Sequence, residues 1–167
     1  ISDFISYVNK SNYSLSSIIE QSIFETNKFL LKSKKYYLIE YAAFFGSIQI
    51  IKYLFVNKIE FPNFIWFYAI HGKNPELIHL LEDNNIKMDD YSYEDCFLES
   101  IKCFHYELDN YFDNKYSISE HFCSLKKYIK YHNYFHLPEN GLDSHCYDLI
   151  FEDYIYFVKE LLEGKDM

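Results

Sequence analysis

Hydrophobic residues recur along this chain with the spacing of amphipathic helices. In residues 50–55 and again in 77–81, apolar side chains fall three and four positions apart, which places them on one face of a helix. Each of these segments follows a shorter apolar run that ends at Gly46 or Gly72. The pattern therefore predicts helix, tight turn, helix, with each glycine supplying the left-handed residue that ends the first helix.

The predicted helix pairs belong to a repeated block. Residues 38–61 align with residues 65–88 without a gap at an offset of 27, and a fainter block at 96–115 follows at an offset of 31. Repeats of this length predict stacked units that bury their apolar faces against their neighbours. Small residues permit close helix approach, and the three blocks align them at Ala42, Ala69 and Ser100.

Signals for helix starts support these boundaries. Asn74 followed by Pro75 predicts a start, because Asn caps N–H groups and Pro fits the first helical position. Ser47 predicts another start directly after Gly46. Elsewhere the pattern is less regular. We interpret residues 1–10 and 146–164 as partial repeats and expect helices over residues 15–31 and 119–131.

The pattern as a whole predicts an all-α protein, a helix–turn–helix repeat solenoid forming one domain over residues 1–167. A hydrophobic content of 49% with 25% charged residues is typical of a folded chain and not of a disordered one. Because Ile1 is not a start methionine, we expect the chain to be a fragment of a longer protein.

The charge balance argues against two classes of partner. The formal net charge is −9, and all 16 basic residues are lysines. Nucleic-acid affinity depends on phosphate contacts, and arginine is the usual reader of guanine, so we expect no nucleic acid. Anionic membrane surfaces are disfavoured for the same electrostatic reason. A basic protein partner would match the charge, because complementary potentials speed encounter.

The four cysteines, at positions 96, 103, 123 and 146, form no Cys-x-x-Cys pair. Scattered cysteines in a helical chain are typical of reduced packing residues, so we expect an intracellular and cytoplasmic protein. The sequence also has no run of about 18 apolar residues that would predict a transmembrane helix.

The repeated blocks resemble ankyrin repeats. Residues 39–55 match the ankyrin pattern of a first helix ending in a double-alanine step, a glycine turn, and a second helix of the form Ile-Val-x-x-Leu-Leu. Two features depart from that family. Residues 37–40 replace its Thr-Pro-Leu-His start, and Lys58 stands where it has glycine. The blocks are also shorter than the usual repeat of about 33 residues, which implies reduced fingers between units.

Residues 38–115 also resemble a narrower group, the divergent ankyrin-like proteins expanded in parasitic protists and described mainly as a domain of unknown function. The resemblance implies a role in protein binding on the concave face of the stack. That face consists of the turns between units and the exposed end of each first helix. The matching positions are Phe44, Phe45, Asn63, His71, Glu94, Lys102 and Cys103.

Two interpretations of Phe44 and Phe45 stay open on the sequence alone. Exposed aromatic residues are typical binding hot spots, but in a shortened repeat the same rings can pack beneath the turn. Trp66 aligns with a core position, and we predict that it is buried.

Catalytic and metal chemistry find little support in the sequence. It contains no Gly-x-Ser-x-Gly elbow, P-loop or Gly-x-Gly-x-x-Gly motif. His132 and His136 are four positions apart, which would place both imidazoles on one face of a helix. Structural zinc needs about four ligands, and no sequence signal brings Cys123 and Cys146 together with these two histidines. We expect no metal, no cofactor and no enzymatic activity.

The leading hypothesis is a non-enzymatic protein-interaction module, with its partner on the concave face. The alternative is a structural spacer or capping segment of a longer repeat protein, without a specific ligand. A hydrolase using His and Asp or Glu is a third hypothesis. The oligomeric state stays open.

Overall fold

The computed structural model describes residues 1–33, 35–87, 93–116, 127–128 and 130–133. The chain divides into two compact units, with the boundary between Tyr91 and Ser92. The described part is mostly helical, with one small two-stranded sheet. In the first unit the elements are α1 (Ser2–Ser11), β1 (Ile18–Glu20), a short 3-10 turn (Leu30–Lys32), β2 (Lys35–Tyr37), α2 (Leu38–Phe44), α3 (Ile48–Val56), α4 (Ile65–Gly72) and α5 (Pro75–Asp83). In the second unit they are α6 (Tyr93–Lys102) and α7 (Tyr106–Tyr116).

The three repeated blocks each contain a helix pair, as the hydrophobic pattern predicts. The pairs are α2 with α3, α4 with α5, and α6 with α7. Each pair turns at a residue with a left-handed backbone: Gly46 (φ 60°), Lys73 (φ 50°) and Phe104 (φ 54°). These residues lie 27 and 31 positions apart, the same offsets that relate the blocks in sequence. The offsets that relate the blocks in sequence therefore also relate their left-handed turn residues.

Gly72 does not have the left-handed role that the pattern predicts, and this expectation is wrong. Gly72 is the last residue of α4, and the left-handed residue is its neighbour Lys73. Gly72 is instead required by close packing. A Cβ on Gly72 would overlap the carbonyl oxygen of Ala43 and lie 3.0 Å from the nitrogen of Gly46. Glycine is thus needed here because the end of α4 touches the backbone at the end of α2.

The small residues aligned in the three blocks are buried, as predicted. Ala42 is 6% exposed, and Ala69 and Ser100 are fully buried. Within the first unit, α2 packs directly against α4. The prediction for Trp66 is also confirmed: it is buried, and its indole Nε1 donates a hydrogen bond to the carbonyl of Ile86 at 3.0 Å.

The predicted start of α5 is confirmed in detail. Asn74 is the N-cap, Pro75 follows it, and the Asn74 side chain accepts a hydrogen bond from the Glu76 N–H at 3.0 Å. The same side chain donates through Nδ2 to the carbonyl of Gly46 at 3.0 Å. Asn74 therefore joins the start of α5 to the turn of the preceding pair. Ser47 does stand at the N-cap of α3, but its side chain makes no capping hydrogen bond.

A helix over residues 15–31 is not observed, and that prediction is wrong. Strands β1 and β2 pair antiparallel, with Ile18 opposite Tyr37 and Glu20 opposite Lys35. The segment between them is held by side chains that bond to nearby backbone. Asn27 Oδ1 accepts from the Phe29 N–H at 2.8 Å, and Glu25 accepts from the Asn27 N–H at 2.7 Å. Such local bonds compete with the helical pattern and favour turns.

Residues 1–10, interpreted as a partial repeat, lie almost wholly within the amphipathic helix α1. The Phe4 ring of α1 meets Tyr53 of α3 edge-on at 6.0 Å. In the second unit, Tyr93 and Tyr116 stack at 3.6 Å between α6 and α7. The predicted helix at 119–131 lies mostly outside the described residues, and the partial repeat at 146–164 lies wholly outside them.

Candidate functional site

The strongest candidate site is a group of rings at the carboxyl ends of α2 and α4. Helix α2 ends at Phe44 and α4 ends at Gly72, so Phe44, Phe45 and His71 come together where the two helices touch. Gly72 permits this approach because it has no side chain between the helices. We call the exposed and half-buried rings at this place the aromatic cluster: Phe29, Tyr41, Phe44, Phe45 and His71.

The rings of the aromatic cluster are in mutual contact. Phe44 lies 5.1 Å from Phe45 and 5.3 Å from His71, measured between ring centroids. Phe29 stacks with Phe44 at 6.0 Å and lies 4.0 Å from His71. Tyr41 lies 4.8 Å from Phe45. These separations fall in or close to the range in which aromatic pairs attract beyond simple burial, so the rings form one packed surface.

The side chains in and beneath the cluster range from buried to exposed. Tyr36 and Tyr68 are buried beneath it, and the Tyr68 ring meets Phe29 edge-on at 5.2 Å. Phe44 is half-buried, whereas Phe45 is 56% exposed. The two interpretations left open by the sequence therefore apply to different residues. Phe44 packs partly beneath the turn, and Phe45 presents an aromatic ring to the outside.

The buried tyrosines below the cluster are suited to support and not to proton transfer at neutral pH. Burial raises the pKa of Tyr36 and of Tyr68, and nearby Glu40 raises both further. The Tyr36 hydroxyl donates a hydrogen bond to the carbonyl of Ser33 at 2.6 Å. Both phenols are therefore neutral at neutral pH, and they form a buried layer beneath the rings of the cluster.

Phe29 and Tyr41 are the residues of this site that sequence reasoning missed. Tyr41 lies within α2, and Phe29 lies just before the 3-10 turn, in the segment interpreted as a helix. The available signal is Asn27, a residue type that favours turns and caps, followed by an apolar run at 29–31. Lys32 lies over the Phe29 ring at 5.4 Å, which places one cation at the edge of the cluster.

Asn63 belongs to a different place in the first unit. It is exposed and lines an open groove of about 510 Å³. The other lining residues lie just before β1, at the end of β2, at the start of α2 and in the connection between α3 and α4. The structure therefore brings together three of the four candidates in this unit, Phe44, Phe45 and His71, and leaves Asn63 apart from them.

The remaining three candidates lie in the second unit. Glu94 is exposed in the first turn of α6. Lys102 ends that helix, and its ammonium group donates to Glu99 at 2.9 Å and lies 5.3 Å from the Tyr131 ring. Burial works to lower the pKa of Lys102, but the bond and charge of Glu99 outweigh it and the pKa is raised. Lys102 therefore stays charged within a local pair.

The two described cysteines, Cys96 and Cys103, are thiols and not halves of a disulfide. Cys96 is fully buried, and burial together with Asp95 and Glu99 raises its pKa to about 12. A thiol in this state is a packing residue, because the thiolate is the reactive form. Cys103 follows α6 and is half-buried. Of the residues considered for zinc, only His132 lies within the described part of the chain.

No helix in the described ranges combines the length and apolar character needed to cross a membrane. Comparisons with protein-family models, with curated proteins and with solved structures found no match to this chain.

Proposed function

We propose that this chain is a non-enzymatic protein-interaction module built from ankyrin-like helix pairs, with the aromatic cluster as its main contact surface. The observation that carries the proposal is the exposure of Phe45, which is 56% exposed and rests on the half-buried ring of Phe44. A rigid aromatic side chain on a packed base gives a partner a large contact area with little loss of side-chain entropy.

The repeat architecture supports this choice of surface. Phe45 directly precedes the left-handed turn residue Gly46, and the same turn geometry recurs at Lys73 and Phe104. In stacked repeats the turns and the ends of the first helices form the binding surface, so variation there changes partners without disturbing the core. The ring surface is also apolar and not uniformly charged, which favours an interaction module over a spacer.

The expected partner is a basic protein, because the chain carries a net charge of −9. The cluster supplies the apolar anchor, and the overall charge speeds the encounter. An intracellular, cytoplasmic location is part of this proposal and follows the interpretation of the scattered cysteines as reduced packing residues. We propose no enzymatic activity, cofactor, nucleic acid or membrane for this module.

The test compares two single variants of exposed apolar residues. Phe45→Ala removes the exposed ring, and Val56→Ala is the matched control on α3, where Val56 is 79% exposed. Both variants should keep the helicity and melting temperature of the parent chain. Immobilised parent and variant proteins are then incubated with lysate of the source cells, and the retained proteins are quantified by mass spectrometry.

The proposal predicts a protein that is retained by the parent and by Val56→Ala but lost with Phe45→Ala. Loss of a hot-spot ring should weaken binding to that protein about 30-fold, equivalent to about 2 kcal/mol. If no retained protein distinguishes the two variants, the proposed contact surface is wrong and the spacer hypothesis becomes the better one. If Phe45→Ala unfolds the chain, the ring belongs to the core.

A further inference from the structure

The second unit contains two tyrosines whose rings lie face to face. Tyr93 is the first residue of α6 and Tyr116 is the last residue of α7, so the two rings meet at the end of the helix pair that is opposite its turn at Phe104. The ring centroids are 3.6 Å apart, and the ring planes differ by 14°. The other tyrosine pairs in ring contact within the described residues are separated by 6.2 Å or more.

The two hydroxyl groups lie on the same side of this stack. Burial raises the pKa of Tyr116, and a hydrogen bond to the Tyr93 side chain raises it further, against the opposing effect of Lys115. The hydroxyl is the only polar group of a tyrosine side chain, so this bond joins the two hydroxyls. Because the ring planes are nearly parallel, the ring carbons next to each hydroxyl also face each other across the stack.

The pair is supported on one side and accessible on the other. Fully buried Phe112 lies four positions before Tyr116 in α7, and its ring centroid is 6.4 Å from that of Tyr116. Tyr116 is half-buried, and Lys115 Nζ lies 5.5 Å from the centroid of its ring. Tyr93 is 42% exposed. A dissolved oxidant can therefore reach Tyr93, while the Tyr116 ring is packed behind it.

This arrangement matches the geometry that dityrosine formation requires. One-electron oxidation of tyrosine gives a phenoxyl radical, whose unpaired electron is shared with the ring carbons next to the oxygen. Two such radicals couple through these carbons, and the new bond forms perpendicular to the ring planes. A stack in which these carbons face each other is therefore ready to react, whereas a tilted or more distant pair must first rearrange.

We propose that Tyr93 and Tyr116 are a site of oxidative modification, at which hydrogen peroxide and a haem peroxidase form an intramolecular dityrosine cross-link. Exposed Tyr93 loses the first electron, and its proton leaves to solvent. The hydroxyl hydrogen of Tyr116 then passes along the hydrogen bond to the Tyr93 oxygen, which moves the radical to Tyr116 and restores Tyr93 for a second oxidation.

The coupling of the two radicals balances in atoms and electrons. A carbon–carbon bond forms between the rings, and the hydrogens on the coupled carbons shift to the oxygens, which restores both phenols. Two electrons and two protons leave the pair in total, and they reduce one hydrogen peroxide to two waters. The link closes residues 93–116 into a covalent loop that contains α6 and α7. It therefore stabilises the helix pair by restricting the unfolded chain.

The test treats the folded chain at low micromolar concentration with a haem peroxidase and hydrogen peroxide, isolates the monomer by size-exclusion chromatography and digests it with trypsin. Cleavage after Lys115 leaves Tyr116 as the only tyrosine of residues 116–126, and cleavage after Lys10 separates Tyr7 from Tyr13. Tandem mass spectrometry then identifies a cross-link as two joined peptides that have lost two hydrogen atoms.

The same digest contains an internal control, the pair Tyr7 and Tyr13. These residues are only six positions apart and Tyr7 is 61% exposed, but the ring centroids are 6.2 Å apart and the planes differ by 49°. Tyr93→Phe and Tyr116→Phe each keep a ring and remove the hydroxyl that forms the radical. Tyr7→Phe is the matched control variant. Circular dichroism and melting curves establish that all three variants fold like the parent.

The parent monomer should contain the link between Tyr93 and Tyr116 at a yield at least about tenfold above that between Tyr7 and Tyr13. Tyr93→Phe and Tyr116→Phe should each lose the first link at least about tenfold, and Tyr7→Phe should form it at the parent yield. A parent monomer without this link, equal yields at the two pairs, or an undiminished link to residues 116–126 in Tyr93→Phe would each overturn the proposal.

Discussion

Adjacent residues Gly72 and Lys73 should respond to substitution with opposite signs. At Gly72 an added Cβ would overlap the carbonyl oxygen of Ala43, which is fully buried. Alanine gains up to about 1 kcal/mol of helix propensity over glycine in a helix interior, and less at a helix end. The overlap forces α2 and α4 apart in a packed region, at a cost of about 1–3 kcal/mol or more. The net effect of Gly72→Ala is therefore destabilisation.

At Lys73 the backbone is left-handed, with φ 50° and ψ 31°, and the side chain is exposed. A residue with a Cβ pays roughly 1–2 kcal/mol for this conformation, while glycine loses up to about 1 kcal/mol more in chain entropy on folding. Lys73→Gly should therefore stabilise the fold by about 0.5 kcal/mol, the difference between these two terms.

The assay is thermal and urea unfolding of the parent and both variants, followed by circular dichroism. For a unit of about 90 residues, 1 kcal/mol corresponds to about 4–8 °C in melting temperature. Gly72→Ala should lower the melting temperature by at least about 4 °C, and Lys73→Gly should raise it by a few degrees. If Gly72 were the left-handed residue, Lys73→Gly would bring no gain. An unchanged Gly72→Ala variant, or a destabilised Lys73→Gly variant, would refute this account of the turn.

Three further predictions concern packing, thiol reactivity and pH. Ala69→Leu should overfill the buried contact at Ala69 and destabilise the fold by about 1–3 kcal/mol, whereas the control Val56→Leu, at an exposed position, should not. Calorimetry measures the two melting temperatures, and equal values would contradict the packing at Ala69. Iodoacetamide should label Cys103 well before Cys96 in the native protein, because Cys96 is buried and its pKa is raised to about 12. Peptide mass spectrometry measures both labelling rates, and equal rates would contradict the burial of Cys96. Burial raises the pKa of Glu40 despite the hydrogen bond from the Tyr37 N–H. Between the ordinary glutamate pKa and the raised one, the folded chain therefore keeps a proton that the unfolded chain has lost. The free energy of unfolding falls as the pH rises through this range. Glu40→Gln should flatten that part of the curve of unfolding free energy against pH, and an identical slope would count against the buried carboxyl.

The helix pairs could be predicted because their signals are local and repeated. The apolar spacing at 50–55 and 77–81 and the Asn74–Pro75 start act within one or two turns of chain, and the structure confirms them. Repetition helps further, because an offset that aligns Ala42 with Ala69 also aligns the buried faces around them.

The role of Gly72 could not be predicted from its neighbours in sequence. Two glycines after apolar runs have the same local pattern, yet only Gly46 has a positive φ. The offset of 27 aligns Gly46 with Lys73 and not with Gly72. The alignment therefore indicated the correct left-handed position, but the glycine at position 72 favoured the neighbouring residue. What fixes Gly72 is a contact with Ala43, 29 positions earlier, and no local rule contains that contact.

The hairpin and Phe29 were missed for a related reason. Residues 15–31 contain enough apolar positions to resemble a helix, but Asn27 and Glu25 bond to backbone N–H groups and favour turns. The strand pairing of Ile18 with Tyr37 joins residues far apart in sequence. The exposures of Phe44 and Phe45 depend on how α2 and α4 meet, so the sequence alone left both interpretations open.

The aromatic cluster draws its rings from three separate stretches of chain: Phe29 before the 3-10 turn, Phe44 and Phe45 at the end of α2, and His71 near the end of α4. A ligand that contacts all three stretches would bind only while all three are folded, because local unfolding of any one of them would remove part of the bound surface. Occupancy and unfolding are then thermodynamically linked, and ligand at 100 times its dissociation constant would add about 2.7 kcal/mol to the stability of the unit. A rise in melting temperature can therefore report a bound partner before its identity is known.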